Sequence, residues 1–215
     1  MLAPSPARLP ADAHCATTSL AVYVLRPFQL SINDQPVAAW THCKAKSLFK
    51  FLLLNREFPA TKELLMELFW PDADPESARN SLNVTLYNLR STLRRVAPQL
   101  PIVVHDGGRY ALDRNVRIWT DADAYLAHVR RASLLERAGR IDDAMREREA
   151  CVELYRHELL AEDRYEPWIV PLREQFRDNL LNVLECLGSH YFAQENHADC
   201  VATCRRLLLI DSCNE

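Results

Sequence analysis

Glycine is scarce in this chain of 215 residues, and several other features that mark large protein classes are missing as well. Four glycines argue against the glycine-rich loops that cradle phosphate groups in nucleotide-binding proteins. No run of about eighteen apolar residues is present, so the sequence indicates no membrane span. Seven cysteines, an odd number, argue against a secreted disulfide framework and favour free thiols. We therefore expect a globular cytoplasmic protein.

Motifs of catalysis and of metal binding are also lacking. Histidines occur in predicted helices among many carboxylates, but no nucleophile elbow, Walker loop or metalloprotease motif accompanies them. The densest set of metal-ligand side chains is His197, Cys200 and Cys204 with His190, and it contains no CxxC pair. Cysteines in helices are commonly small core residues. We predict neither an enzyme nor a site for a metal or another cofactor.

Charge is divided unevenly along the chain, whose formal net charge is −3. Residues 1–115 hold 13 Lys and Arg against 10 Asp and Glu, whereas residues 116–215 hold 13 against 19. A basic first part and an acidic second part are typical of a DNA-binding domain joined to a protein-binding domain. Steering toward phosphate requires only a local positive field, so the acidic total does not argue against DNA.

The most informative stretch is 74–112, which predicts a long basic helix followed by a tight hairpin. Asp74 can cap the helix, Pro75 suits its first position and Pro98 ends it, which gives about twenty residues. Apolar residues recur every three or four positions and form one stripe for a core to cover. The stripe consists of Ala78, Leu82, Leu86, Leu89, Leu93 and Val96.

The remaining face of this helix is polar and cationic. It carries Arg79, Asn80, Asn83, Thr85, Tyr87, Asn88, Arg90, Ser91, Arg94 and Arg95. From Ser77 to Arg95 four arginines meet no acidic residue. Arginine can pair with guanine or contact phosphate, asparagine can pair with adenine, and an α-helix fits the major groove. A plain solvated face is the simpler interpretation, and the adjoining hairpin favours DNA binding over it.

The flanking elements predict the rest of a winged helix. Alternating residues around Asp106-Gly107-Gly108 predict a hairpin from about Ile102 to Leu112. Upstream, the β-branched and aromatic stretch Leu20 to Val37 predicts two or three short strands. Helices are predicted from about Cys43 to Asn55 and from about Lys62 to Trp70. The order is strands, helix, helix, helix, hairpin.

The second half is almost wholly helical in pattern, from Asp121 to Ile210. Two helix pairs are predicted over about Ala122–Tyr155 and Pro171–Leu209, with turns at Gly139 and Asn196. Pairs of this size predict tetratricopeptide-like packing, although strict periodicity is absent. The predicted fold class is an α+β winged helix-turn-helix domain followed by an all-α tetratricopeptide-like helical domain.

The first half resembles a known family of bacterial activators. Lys44-Ala45-Lys46 with Leu48, the run LFWPDADPESARNSLNVTLYNLRSTLRR and the later GGRYAL look like the OmpR-like winged helix of the Streptomyces antibiotic regulatory protein (SARP) group. The resemblance covers most of Leu20 to Leu112. It implies a recognition helix in the major groove, a wing on the minor groove, and a loop, Trp70 to Pro75, that faces RNA polymerase.

Carried over by position, the resemblance implies a set of DNA contacts. The groove-facing residues would be Asn80, Asn83, Val84, Tyr87 and Asn88, with Arg90 and Arg94 on the DNA backbone and Arg109 on the wing. Val84 lies off the apolar stripe, where it could contact a thymine methyl group. Lys44 and Lys46 could hold phosphate. Many relatives have arginine at Tyr87 and Asn88, and the first strand has Arg26-Pro27 in place of the usual glycine.

The second half resembles the bacterial transcriptional activator domain (BTAD) that follows the winged helix in the same family. The matching residues are Trp119-Thr120-Asp121, Leu154-Tyr155, Leu159-Leu160, Glu166-Pro167-Trp168 and Arg173. The resemblance implies a helical domain that dimerises and packs against the DNA-binding domain, with Trp168 in the core or between domains. Family members usually continue with further helices, so the resemblance implies either a fragment or a short form whose exposed end binds a partner.

These inferences predict a leader without fixed structure over residues 1–18, an OmpR-like domain over 19–115 and a BTAD over 116–215. The predicted function is sequence-specific binding of double-stranded promoter half-sites by a homodimeric activator that contacts RNA polymerase. It would have no membrane contact and would be nucleoid-associated when bound to DNA. The alternative is a protein-interaction adaptor with helical repeats whose winged helix no longer binds DNA. The unpaired arginines favour the DNA-binding function, because an adaptor gains little from them.

Overall fold

The computed structural model describes residues 18–38, 40–98 and 101–211. The predicted leader, apart from Thr18, lies outside these residues. The strands are β1 Ser19–Tyr23, β2 Gln29–Ile32, β3 Gln35–Pro36, β4 Ala60–Thr61, β5 Val103–Asp106, β6 Arg109–Leu112 and β7 Arg117–Thr120. The helices are α1 Cys43–Leu54, α2 Lys62–Phe69, α3 Pro75–Arg94, α4 Asp121–Arg137, α5 Ile141–Leu154, α6 Val170–Ala193 and α7 His197–Ile210, with a short 3-10 helix at Pro167–Ile169. The predicted fold class is confirmed.

The first sheet has the strand order β3-β2-β1-β7. β2 is antiparallel to both β1 and β3, and the predicted turn at Asn33-Asp34, where both residues have positive φ, joins β2 to β3. β7 was not predicted. It runs parallel to β1, with Ser19 opposite Arg117 and Val22 opposite Thr120. Residues 117–120, which follow the predicted boundary at Asn115, complete the amino-terminal sheet, and the first helix of the helical half begins at Asp121.

The second sheet contains the wing, in the order β4-β6-β5. Its hairpin turns at Gly107-Gly108, whose φ angles of +55° and +78° suit the two-residue turns that match strand twist. The rings of His105 and Tyr110 stack across the two strands with centroids 4.4 Å apart. The wing is fastened to the domain by β4, whose Thr61 lies opposite Arg109. β4 has only two residues, too few for a sequence pattern to predict.

Helix α3 begins as the sequence predicts. The Asp74 carboxylate accepts hydrogen bonds from the N–H groups of Glu76 and Ser77 at 3.1 and 3.0 Å, and Pro75 occupies the first turn. The apolar stripe is buried from Ala78 to Leu93, whereas Val96 follows the end of α3 and is half-buried. One assignment was wrong: Thr85, predicted on the polar face, is buried, because it lies three residues after Leu82 and four before Leu89.

The helical half is built from two helix hairpins, α4 with α5 and α6 with α7. The first turns at Gly139, which has a φ of +73°, and the second at Glu195, which has a φ of +58°. Tyr125 is completely buried between the pairs, and its ring stacks on Phe176 with centroids 5.5 Å apart. Among the described helices, none combines the length and the apolar character needed to cross a membrane.

The two halves join at the end of β1, where the dipeptide Val24-Leu25 is fully buried. Asp121, the first residue of α4, accepts hydrogen bonds from the N–H of Val24 at 2.7 Å and of Leu25 at 3.0 Å. The N–H groups of His157 and Leu160 donate to the carbonyls of Leu25 and Val24, each at 2.8 Å. All four backbone polar groups of the dipeptide are therefore satisfied by the helical half.

The segment that follows α5 is held in place by α6. Arg173 is buried and donates from Nε to the carbonyl of Leu159 at 2.8 Å and from Nη2 to that of Leu160 at 2.5 Å. Leu160 has a φ of +47°, an unusual conformation for a leucine. Beyond it, the ring of Trp168 packs edge-on against Phe51 of α1, with centroids 5.4 Å apart. The predicted packing role of Trp168 between the two halves is confirmed.

A cluster of ion pairs closes the same junction. Lys50 of α1 is only 1% exposed, and its Nζ lies 2.5 Å from Glu162 Oε1 and 2.6 Å from Asp163 Oδ2. Glu162 also pairs with Lys46 at 2.6 Å. The ring of Phe28 lies 4.6 Å from the Lys50 ammonium and 4.9 Å from that of Lys46. A buried lysine is tolerated here because two carboxylates compensate its charge.

We expect Asp121→Ala to destabilise the whole chain, because it leaves the buried N–H groups of Val24 and Leu25 without acceptors. The expected loss in the free energy of unfolding is about 2 to 4 kcal/mol. Urea unfolding under reducing conditions measures it. The matched control is Asp123→Ala, which removes a partly exposed ion pair with Arg56 and should cost less than about 1 kcal/mol. Equal losses for the two variants would show that the hydrogen bonds of Asp121 stabilise the fold no more than a partly exposed ion pair does.

The ion cluster predicts a dependence of stability on pH. Burial raises the pKa of Glu162, but Lys46 and Lys50 together lower it below its ordinary value of 4.5. A carboxylate with a lower pKa in the folded state stabilises the fold above the unfolded-state pKa and loses that contribution as pH falls. We therefore expect Glu162→Gln to lose less free energy of unfolding than the wild type as the pH falls below about 4.5.

Urea midpoints at pH 7, 4.5 and 3.5 measure this difference. The control is Glu67→Gln, at an exposed position of α2, which should retain the wild-type loss of stability in acid. If Glu162→Gln and the wild type respond identically to acid, the ion cluster does not contribute as argued.

Candidate DNA-binding surface

The solvent face of α3 presents the side chains that the sequence assigned to the DNA groove. Asn80, Asn83, Val84 and Tyr87 are exposed and Asn88 is half-buried. Val84 is 59% and Tyr87 72% exposed. The spacing of three and four residues puts all five on one face of the helix. Large apolar side chains exposed together on a helix indicate a surface that contacts another molecule.

The amino terminus of α1 lies beside this face. His42, Cys43 and Lys44, together with Trp70, line an open groove of about 590 Å³ whose other wall includes Asn80, Val84 and Asn88 of α3. The first turn of α1 has no acidic residue, and His42 provides no side-chain cap. The partial positive charge of this helix end therefore adds to the positive field of α3. The sequence did not predict that the start of α1 borders this face of α3, because residues 41–43 form no recognisable motif.

The two lysines that were expected to hold phosphate have partners within the protein. The Lys44 ammonium donates to the carbonyl of Phe69 at 3.2 Å, near the end of α2. The Lys46 ammonium forms the ion pair with Glu162 described above. Sequence spacing places both residues at the start of α1 but contains no information on Glu162, which is 116 residues away.

The arginines at the carboxy-terminal end of α3 and on the wing have different environments. Arg90 is half-buried, and its Nε donates to the carbonyl of Val103 at 3.4 Å, which ties the helix to the first strand of the wing. Arg94 and Arg109 are exposed. Arg109 stands beside the glycine turn, at the tip of the hairpin. Arg94 and Arg109 thus offer complete guanidinium groups to solvent, whereas Arg90 has a part in positioning the wing.

The loop between α2 and α3 also lies at the surface. Its residues 71–75 are exposed, and Trp70 packs against Phe69 with ring centroids 5.9 Å apart. The loop is therefore a short exposed segment anchored at one end by an aromatic pair. Across the described part of the chain, no group of three or more His, Cys, Asp and Glu side chains is placed to hold a metal ion.

Comparisons with known proteins agree with this architecture. Residues 120–215 match the family described as the bacterial transcriptional activator domain. A solved structure of Mycobacterium tuberculosis EmbR, in complex with a low-affinity phosphopeptide, has a TM-score of 0.63 and 20% sequence identity. The match covers 90% of this chain and 61% of that one. No curated protein matches the chain significantly.

At 20% identity the structural match shows a shared fold, and the domain match adds the family of the helical half. The resemblance inferred from the sequence motifs is confirmed. The chain thus joins a winged helix, formed by α1 to α3 and the β5–β6 wing, to a helical half that matches the bacterial transcriptional activator domain.

Proposed function

We propose that this protein binds promoter DNA in a sequence-specific way and activates transcription, with α3 in the major groove and the wing at the minor groove. The observation that carries the proposal is the solvent face of α3. It combines exposed asparagines, an exposed valine and tyrosine, and exposed arginines beside an equally exposed wing tip. Side chains of these types are the ones that contact base edges, thymine methyl groups and phosphates.

The residues divide into two roles in this proposal. Contacts with base edges come from the groove-facing set Asn80, Asn83, Val84, Tyr87 and Asn88. Contacts with phosphate come from Arg94, Arg109 and the free N–H groups of Arg90. We assign Lys46 to holding the fold, since the carboxylate of Glu162 binds its ammonium group. Lys44 is exposed beside the groove and keeps donors for phosphate after its bond to the carbonyl of Phe69.

The remaining parts of the proposal concern partners and setting. The exposed loop from Trp70 to Pro75 faces RNA polymerase when α3 is bound to DNA. Two copies of the chain pair through their helical halves, so that two weak half-site contacts act together and raise the affinity. The protein acts in the bacterial cytoplasm, on the nucleoid when bound, and uses non-covalent recognition without catalysis.

Asn88→Ala should change which DNA sequences are selected, because the lost amide can pair with only some base edges. Selection of bound sequences from random duplex DNA at about 0.15 M salt measures the change. We expect the wild type to recover a repeated motif and the variant to relax one position of each repeat. Recovery of the wild-type motif by the variant would remove Asn88 from the base contacts. Recovery of no motif by the wild type would favour the adaptor function.

Arg94→Ala should weaken binding to all DNA sequences alike, because phosphate is the same at every position. If one phosphate contact is lost, the slope of log affinity against log salt should flatten by about 0.9. Anisotropy titrations at four salt concentrations measure this slope. The matched control is Lys46→Ala, which removes a cation already paired with Glu162 and should leave the slope unchanged. A flatter slope for Lys46→Ala would return that lysine to the set of phosphate contacts.

A further inference from the structure

A second cavity lies in the helical half, between α6, α7 and the segment that follows α5. Its volume is about 380 Å³, within the range of small-molecule sites. Three arginines line it, one from each of these elements: Arg156, Arg177 and Arg206. Neither the DNA-facing side chains nor the ion cluster at Lys50 belongs to it.

Two of the three arginines are held in position by backbone carbonyl groups. Arg177 donates from Nη2 to the carbonyl of Ile210 at 2.8 Å, and Arg206 donates from Nη2 to the carbonyl of Tyr155 at 2.6 Å. A guanidinium has five N–H donors, so each retains donors for a ligand after making this bond. Groups that are already oriented lose less conformational entropy on binding. The cavity therefore presents guanidinium groups that are oriented before a ligand arrives.

Arginines outnumber acidic residues in the lining of the cavity. Burial lowers the pKa of Arg206, and the charge of Arg156 lowers it further, although the hydroxyls of Tyr125 and Tyr155 oppose this. Glu158 also lines the cavity, and its Oε2 lies 3.9 Å from Nε of the buried Arg173. An anion bound here would relieve the repulsion between Arg156 and Arg206 and would accept charge-assisted hydrogen bonds from them.

Part of the lining is apolar. Leu180, Leu209 and the ring of Tyr155 face the same space. Apolar walls with a few converging charged groups are typical of sites for small organic ligands. The combination fits an anionic head on an apolar body, such as an aryl phosphate or an aryl carboxylate.

We propose that Arg156, Arg177 and Arg206 form a binding site for a small organic anion that carries a phosphate or a carboxylate. The site adjoins the junction of the two halves, because His157, which follows Arg156 in the chain, donates its N–H to the carbonyl of Leu25. A bound anion ties α6 and α7 to this segment and stabilises the junction. The proposal does not depend on DNA binding.

Calorimetric titration of the full chain with four probes tests the proposal. The probes are phenyl phosphate, benzoate, inorganic phosphate and benzyl alcohol. We expect saturable binding of one equivalent of at least one aryl anion, weaker binding of inorganic phosphate and none of benzyl alcohol. The comparison of phenyl phosphate with benzoate identifies the head group. Absence of saturable binding for both aryl anions would overturn the proposal.

The diagnostic variant is Arg156→Gln, because Arg156 is exposed and its removal should leave the fold intact. Loss of one charge-assisted contact should weaken aryl-anion binding by about tenfold or more. Arg131→Gln, at an exposed position of α4 outside the cavity, should bind like the wild type. Thermal unfolding with and without ligand gives a second readout, since a ligand of the folded state raises the unfolding midpoint. Equal affinity in wild type and Arg156→Gln would show that binding occurs elsewhere.

Discussion

The architecture depends on how the chain satisfies the backbone of two buried residues, Val24 and Leu25. They follow the last residue of β1, where sheet pairing stops, and their four polar groups would otherwise be buried without partners. The Asp121 carboxylate and the N–H groups of His157 and Leu160 provide the missing bonds. A buried polar group without a hydrogen-bond partner destabilises the fold. Hydrogen bonds to Val24 and Leu25 therefore hold the winged helix and the helical half together, in addition to apolar contacts.

Other contacts extend this constraint to the helices that carry the DNA-binding surface. Phe51 packs on Trp168 and Lys50 pairs with Glu162 and Asp163, so α1 is held against the segment between α5 and α6. α1 in turn packs on α3. Buried apolar residues form one continuous cluster from Leu20 to Leu207. The orientation of α3 relative to the helical half is therefore set by packing, which means that pairing of two helical halves would also set the separation of two recognition helices.

The charged side chains of α1 bind groups within the protein, while Arg94 of α3 and Arg109 of the wing are exposed to solvent. Lys44, Lys46 and Lys50 all bind groups of the protein itself, whereas Arg94 and Arg109 do not bury their guanidinium groups. Burial distinguishes the two sets, since a charge removed from water needs a nearby partner and an exposed one does not. A similar distinction separates the arginine-lined cavity from the DNA-binding surface: carbonyl groups fix the guanidinium groups of Arg177 and Arg206, and part of the lining is apolar.

The sequence by itself determined the features that depend on neighbouring residues. The Asp74 cap, the apolar stripe of α3 and the Gly107-Gly108 turn follow from local geometry, so the helix and the wing could be predicted together with their exposed side chains. Only the tertiary structure decided the roles that depend on distant partners. It placed β7 in the first sheet, buried Lys50, and gave Lys46 a carboxylate 116 residues away, because none of these contacts leaves a periodic signal in the chain. It also brought Arg156, Arg177 and Arg206 from three separate segments to one cavity, which spacing along the sequence does not indicate.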